Sequence, residues 1–306
     1  PEVIEKVKEC YAVAPLHNPA NIIGIEAISS ILPNVPQVGV FDTAFHQTMP
    51  AKAYMYALPY EAYEKYGVRR YGFHGTSHRY VSKRVCEFLG VNYEDQKIIT
   101  CHVGNGGSIT AVCHGKSIDT SMGLTPTEGL MMGTRSGDVD PGALTYIMEK
   151  HNLTAKDIQN IINKQSGIAG VTDISSDMRE IEAADNAGDE RAQLGLAMYE
   201  QRIIKYVGAY AAEMGGVDGV FVSNAHQVNV FLLGREQFGK IPEHLFAAVV
   251  FDKIVARATG IAAHGGACKA HHAVDHLIQR SVTAAGIKAN GIGMGAAIIA
   301  DISGGI

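Results

Sequence analysis

The sequence predicts an α/β or α+β chain of about two domains, and three observations carry the prediction. Two β-branched runs, Ile98 to Val103 and Ser108 to Val112, flank the bend Gly104, Asn105, Gly106 and Gly107 in the manner of a hairpin. Apolar residues at helical spacing run through 154–163 and 189–212, among them Leu194, Leu196, Ile203, Ile204 and Val207. A length of 306 residues with 46% hydrophobic content is ample for buried cores.

Taken in chain order, the first pattern is an amphipathic helix through Val3, Ile4, Val7 and Tyr11, entered directly from Pro1 without a methionine, so the sequence reads as a piece of a longer chain. Prolines punctuate the next stretch. Gln37 to Phe41, QVGVF, has the apolar character of a buried strand and would deliver Asp42 at its C-terminal end, where open α/β sheets place ligand-contacting groups. Asp42 is then either a metal-binding or catalytic carboxylate or the cap of the next turn.

Tyr71 to His78, YGFHGTSH, sets His74 between Phe73 and Gly75, with Ser77 reading as a helix cap. A histidine beside a glycine bend can aim its ring at a ligand and, when charged, stabilise an anionic group in transfer. His78 reads as readily as a core histidine. The glycines of the 104–107 bend offer bare N–H groups at short range, which suits a polyphosphate, although an ordinary tight hairpin has the same composition. In Met131 to Pro141, MMGTRSGDVDP, Arg135 stands among small residues, where its planar fork can reach phosphate or carboxylate oxygens or pair with Asp138 or Asp140.

Composition narrows the function classes. The net charge is −5 and no Lys/Arg run exceeds a pair, which argues against a nucleic-acid surface. No apolar run approaches the ~18 residues of a membrane span and no leader is visible, so a soluble, cytoplasmic protein is expected. Five irregularly spaced cysteines fit reduced thiols. Near the end, Cys268, His272 and His276, with His264, His271 and Asp275 nearby, would share a helix face that is either a transition-metal site or a solvated surface. Gly291, Gly293 and Ala296 follow a dinucleotide-loop spacing without the strand that such a loop needs.

Six segments together are specific. APLHNP (14–19), FDTAFHQTMP (41–50), YGFHGTSH (71–78), ITCHVGNGGS (99–108), DTSMGLTPTEGLMMGTRSGDVDP (119–141) and SSDMR (175–179) resemble the acetate kinases in the same order, over roughly residues 1 to 222. The resemblance implies a ribonuclease-H-like, actin-like ATPase fold of two domains facing a nucleotide cleft, here incomplete. Residues 1–42 would be the remainder of an N-terminal acyl-site domain, and 43–306 the nucleotide-binding domain, with 223–306 poorly matched.

By the same resemblance, Asp42 holds the metal, Mg2+ or Mn2+, and orients the acyl carboxylate, while His74 and Arg135 stabilise the phosphoryl group. His102, Asn105, Gly106 and Gly107 cradle the nucleotide phosphates, and Gly133, Asp177 and Arg179 lie on the adenosine side. Leu16, His17, Phe73 and Pro126 line the acyl pocket. The implied reaction is reversible, in-line transfer of the ATP γ-phosphoryl group to acetate, giving ADP and acetyl phosphate, in a homodimer with no nucleic-acid or membrane partner. Acetate is ionised near pH 7, with a carboxylate pKa of ~4 to 5, and needs no general base. Propionate is the rival substrate, since such a pocket separates one methylene by only ~1–3 kcal/mol. A catalytically inactive nucleotide-binding fragment is the other alternative.

The sequence also departs from the family. The family's N-terminal strand, Asn-rich phosphate turn and acyl-site arginine are missing, SNAHQVN (223–229) replaces a Gly-Ile-Gly-Glu-Asn type loop, and the late magnesium glutamate has no counterpart. Weak or no kinase activity is therefore expected of these 306 residues alone.

Overall fold

A computed structural model of the chain describes residues 2–12, 18–223 and 228–232, and its organising element is a mixed five-stranded sheet. The strands are β1 (Lys97–Val103), β2 (Gly107–Cys113), β3 (Lys116–Thr120), β4 (Gly219–Ser223) and β5 (Val228–Leu232), in the order β3-β2-β1-β4-β5. Only β1 and β4 are parallel; the other neighbours are antiparallel.

The first hairpin is the one the β-branched runs predict. Its register sets Thr100 opposite Thr110 and His102 opposite Ser108, so side-chain alternation divides the hairpin into two unlike faces. Ile99, Cys101, Val103, Ile109 and Ala111 fill the larger core. The opposite face carries Ile98 and Val112 at one end, in a second cluster, and the polar Thr100, His102, Ser108 and Thr110 at the other.

Helices cover both faces. Ahead of the sheet come α1 (Glu2–Glu9), α2 (Asn18–Ile31), the short α3 (Ala51–Tyr54) and α4 (Tyr60–Tyr66), and then α5 (Gly75–Leu89), which packs Val81, Val85 and Cys86 on the Ile98 side. The crossover from β3 to β4 carries α6 (Pro141–His151), α7 (Ala155–Lys164), α8 (Gly167–Thr172), α9 (Met178–Asn186) and α10 (Glu190–Glu213). α7 opens with a capping box between Thr154 and Asp157, and α10 with Asp189 accepting from the N–H of Ala192. α10 buries Leu196, Tyr199, Ile203, Val207 and Tyr210 against the sheet. Full burial of an aliphatic side chain such as Ile203 is worth about 1.5–3 kcal/mol. Leu194 falls off that stripe and is exposed.

The expected strand at Gln37 to Phe41 does not form. Val38 is 87% exposed and Val40 74%, and the segment joins no ladder among the described residues. Apolar character alone cannot make a strand whose backbone groups find no neighbour. Of the cysteines, Cys10, Cys86, Cys101 and Cys113 are free thiols. No helix among the described residues is long and apolar enough to cross a membrane. The Cys268–His276 cluster and the Gly291–Ala296 pattern lie outside the described residues.

Candidate active site

The site is assembled at the start of α5. His74 sits there in the left-handed backbone region, φ 57° and ψ 23°, a conformation that costs about 1–3 kcal/mol in a residue with a side chain. Asp42 holds it. The Asp42 Oδ2 accepts from the His74 N–H at 2.6 Å, and the Asp42 carbonyl accepts from the Gly75 N–H at 2.8 Å. A Cβ on Gly75 would stand 2.4 Å from that carbonyl, so only glycine lets the two segments meet.

The first N–H of α5, that of Gly75, is thus satisfied by the backbone carbonyl of a residue far back in the chain, and not by Ser77 as the local sequence suggests. α5 begins at Gly75, which puts Ser77 inside the first turn, where its hydroxyl meets His102 Nδ1 at 2.9 Å. Asp42 remains exposed, with Oδ2 alone engaged among the described residues.

The His74 ring stacks on His102, with centroids 4.1 Å apart and planes at 23°. Its Nδ1 meets Ser108 Oγ at 2.8 Å. A Cβ built on Gly106 would lie 3.1 Å from Arg135 Nη1 and 3.7 Å from His74 Cε1, so cation and imidazole converge on the glycine bend.

Arg135 is half-buried and has no carboxylate partner among the described residues. Its Nη1 donates only to the Pro126 carbonyl, at 3.3 Å, and to Met132 Sδ, at 3.8 Å. The ion pair that the sequence allows is absent because both candidate aspartates are engaged elsewhere. Asp138 accepts from Gly129 N–H and the Tyr206 hydroxyl and faces Arg202, and Asp140 caps α6. Backbone bonds from Ser166, Ile168 and Ala169 to the carbonyls of Thr134, Met132 and Gly133 hold the arginine's segment against α8.

The bend itself is tight, with Gly104 N–H donating to the Gly106 carbonyl at 3.1 Å and Gly107 buried at the head of β2. Asn105 adjoins Gly133, whose N–H donates to the Asn105 carbonyl at 3.1 Å. A Cβ on Gly133 would meet Asn105 Oδ1 at 2.1 Å and Ser176 Cβ at 3.2 Å, which places the 175–179 segment on the same rim. There Asp177 caps α9 through the Arg179 N–H and grips the Arg179 guanidinium, whose hydrogen bonds hold the Asp177 carboxyl down at about 2. Phe73 contributes its carbonyl to His46 Nε2 at 2.9 Å and leads directly into His74. Leu16 and His17 lie outside the described residues.

Electrostatics revise one expectation. Burial pushes the His74 ring down to about 3, with His102, Arg135 and His46 pushing the same way. Burial lowers His78, His102 and His46 as well. Near pH 7, His74 is therefore a neutral hydrogen-bond donor rather than a cation, and the positive charge at the bend belongs to Arg135. The arrangement joins a guanidinium, a neutral imidazole, bare backbone N–H groups and one free carboxylate oxygen, which is what a polyanion carried with a hard cation requires.

Sequence reasoning missed Ser108 and Thr100, and left His78 as a bland core residue. Their signal was available as polar residues recurring at every second position, on one face of otherwise apolar strands.

Comparison with known proteins agrees with this architecture. The Acetokinase family model matches residues 1–230, past residue 222 where the motif likeness ends. An acetate kinase of Bacteroides thetaiotaomicron is 66% identical over 230 residues, covering 75% of this chain and 58% of its own length. The crystal structure of Porphyromonas gingivalis acetate kinase superposes with a TM-score of 0.70 at 63% identity, over 72% of this chain and 55% of that one. A propionate kinase from Francisella tularensis superposes with a TM-score of 0.69 at 47% identity, over 72% and 56% of the two chains. The chain thus spans little more than half the length of these relatives. Because the family model matches 230 of the chain's 306 residues, the chain belongs to the acetokinase family.

Proposed function

We propose that the chain carries acetate kinase chemistry, the reversible transfer of the ATP γ-phosphoryl group to acetate, giving acetyl phosphate and ADP. The observation that carries this is Arg135, a half-buried cation without a carboxylate partner among the described residues, set against Gly106 and His74 beside the Asp42 carboxylate.

In this reading, a carboxylate oxygen of acetate bonds to the γ-phosphorus as the bond to the ADP oxygen breaks, and no base is needed. The transition state is loose, with charge on three equatorial oxygens. Arg135 and the neutral His74 ring donate to those oxygens, and the Gly104–Gly107 bend presents backbone N–H groups to the β and γ phosphates. His102 stacks on His74 and orients it, Asn105 and Gly133 close the rim, and Asp177 and Arg179 face the adenosine. Phe73 and Pro126 flank the acyl group; Leu16 and His17, assigned to the same pocket by the family resemblance, lie outside the described residues.

Magnesium, or manganese, would supply neutralising charge to the phosphates when bound with nucleotide. No group of three or more His, Cys, Asp or Glu side chains among the described residues is placed to hold a metal unaided. That suits magnesium, which binds through one or two carboxylates together with substrate phosphates, and Asp42 is the residue that would hold it. Residues 1–42 are read as the acyl-side domain and the sheet domain as the nucleotide side, in a cytoplasmic homodimer with no nucleic-acid or membrane partner.

The test uses the purified chain with ATP, magnesium and either acetate or propionate, trapping the acyl phosphate as a hydroxamate, beside calorimetric titration of ATP. Magnesium-dependent ATP binding, with acetate-dependent hydroxamate formed only weakly by these 306 residues, is the expected result. A chain that neither binds ATP nor forms hydroxamate would sink the reading.

A further inference from the structure

Behind His74 runs a buried line of hydrogen bonds that reaches neither solvent nor the cleft except through that ring. His74 Nδ1 lies 2.8 Å from Ser108 Oγ, Ser108 Oγ lies 2.7 Å from His78 Nε2, and His78 Nδ1 lies 2.7 Å from Thr100 Oγ1. Ser108 is 0% exposed and Thr100 and His78 are each 1% exposed. His78 follows His74 by one helical turn of α5, and Thr100 and Ser108 share the polar face of the β1–β2 hairpin, so two rigid elements hold the line.

Protons can be placed along it in few ways. Each contact needs one proton, and each neutral ring carries one. If His74 Nδ1–H donates to Ser108, Ser108 must donate to His78 and His78 to Thr100. The Thr100 proton is then stranded, because among the described residues Thr100 Oγ1 has no partner but His78. If both rings donate to Ser108, the Ser108 proton is stranded instead. A stranded buried hydroxyl depresses the population of such an arrangement by roughly ten- to a hundredfold. One arrangement strands nothing: Thr100 donates to His78 Nδ1, His78 Nε2–H donates to Ser108, and Ser108 donates to His74 Nδ1.

We propose that Thr100, His78 and Ser108 are positioning residues that lock His74 as the Nε2–H tautomer, so that its single ring proton is offered to the cleft beside Gly106 and never to the core. The geometry agrees, since His74 Cε1 and Nε2 are the ring atoms nearest a Cβ built on Gly106, at 3.7 and 3.8 Å. Asp42 fixes the same residue from its backbone side through the His74 N–H. A ring clamped at both ends meets a transferring group with its donor already set, so no tautomer exchange precedes the step. The use of that donor on a phosphoryl oxygen rests on the kinase reading; the tautomer itself does not.

The test is a long-range proton–nitrogen correlation spectrum of the full 306-residue chain, labelled with 15N-histidine and recorded without nucleotide at pH 7.5. His74 is assigned by the signals lost in His74→Gln. The expected spectrum has Nε2 protonated and Nδ1 bare, in the pattern of a single tautomer. A protonated Nδ1, or averaged shifts of two exchanging forms, overturns the proposal. Ser108→Ala removes the hydroxyl that donates to Nδ1, and the His74 pattern should move toward the averaged form; an unchanged single tautomer there overturns the proposal too. The wild-type spectrum decides the matter even where Ser108→Ala fails to fold. If hydroxamate forms, Ser108→Ala should lower kcat about tenfold with the KM for ATP within about twofold of its starting value. A locked Nε2–H ring in a chain without phosphoryl transfer would uphold the clamp and count against the kinase reading alone.

Discussion

Acidification from pH 7 to pH 5 is expected to lower folding stability, the buried His74 ring alone removing about 2 kcal/mol. A histidine in the unfolded chain titrates near 6.5. In the folded chain His74 is pushed down to about 3, first by burial and then by His102, Arg135 and His46. His78 falls well below its ordinary value, also by burial first. As the pH drops through 6.5, the unfolded chain takes up protons that the folded chain refuses, so stability that is whole above 6.5 is lost steadily down to the folded value near 3. At pH 5 the His74 ring accounts for a loss of about 2 kcal/mol, and His78, His102 and His46, all lowered by burial, act in the same direction. Asp119 works against them. Burial raises its carboxyl to about 6, so the folded chain binds that proton first and regains about 1 kcal/mol. A loss of about 2 kcal/mol from one ring is a large share of the 5–15 kcal/mol that typically holds a domain together. Urea unfolding at the two pH values, followed by far-UV circular dichroism in EDTA, measures it. In His78→Gln the pH-linked loss should shrink, whatever that variant's stability at pH 7. A wild-type protein no less stable at pH 5 than at pH 7, or a His74 ring that titrates near 6.5 by NMR, refutes the reasoning.

Three substitutions probe the rest of the site. Asp42→Asn keeps an acceptor for the His74 N–H and removes the charge, so unfolding free energy should stay within about 1 kcal/mol while the magnesium dependence of ATP binding disappears; equal magnesium dependence would remove Asp42 from the metal site. Arg135→Ala should cost about 100- to 1000-fold in acyl phosphate formation, measured by the hydroxamate assay, with the circular dichroism spectrum unchanged. Gly72→Ala should lower stability by about 2–5 kcal/mol, read as a fall in melting temperature. Gly72 has φ +74°, and a Cβ there would stand 2.4 Å from Thr120 Cγ2 and 2.8 Å from His46 Cδ2.

What could be read from the sequence is what depends on near neighbours. The β1–β2 hairpin was legible because β-branched runs and a glycine bend adjoin one another, and α7 and α10 because their caps and apolar spacing are local. QVGVF misled because strand formation depends on a partner, which apolar character does not reveal. The cap of α5 misled for a similar reason: Ser77 has the local signature, but Asp42 reaches the helix start first, from 32 residues away. Arg135 could be singled out as a candidate, whereas its freedom from Asp138 depended on Tyr206 and Arg202, which arrive from α10. The charge state of His74 was hidden as well, since it follows from enclosure and from neighbours spread between residues 46 and 135. The six ordered segments pointed correctly to the family, but how their side chains meet had to come from the fold.

The β1–β2 hairpin ties correctness of folding to competence of the cleft. A slide of one residue between these strands would invert one of them, for β2 turning Ile109 and Ala111 toward α5 and driving Ser108 and Thr110 into the apolar layer under α10. Such a misaligned molecule would lose its packing and the Ser108 hydroxyl that holds the His74 ring in the same event. No stable but idle register is open to this ribbon, so whatever polices the chain's compactness also polices its chemistry.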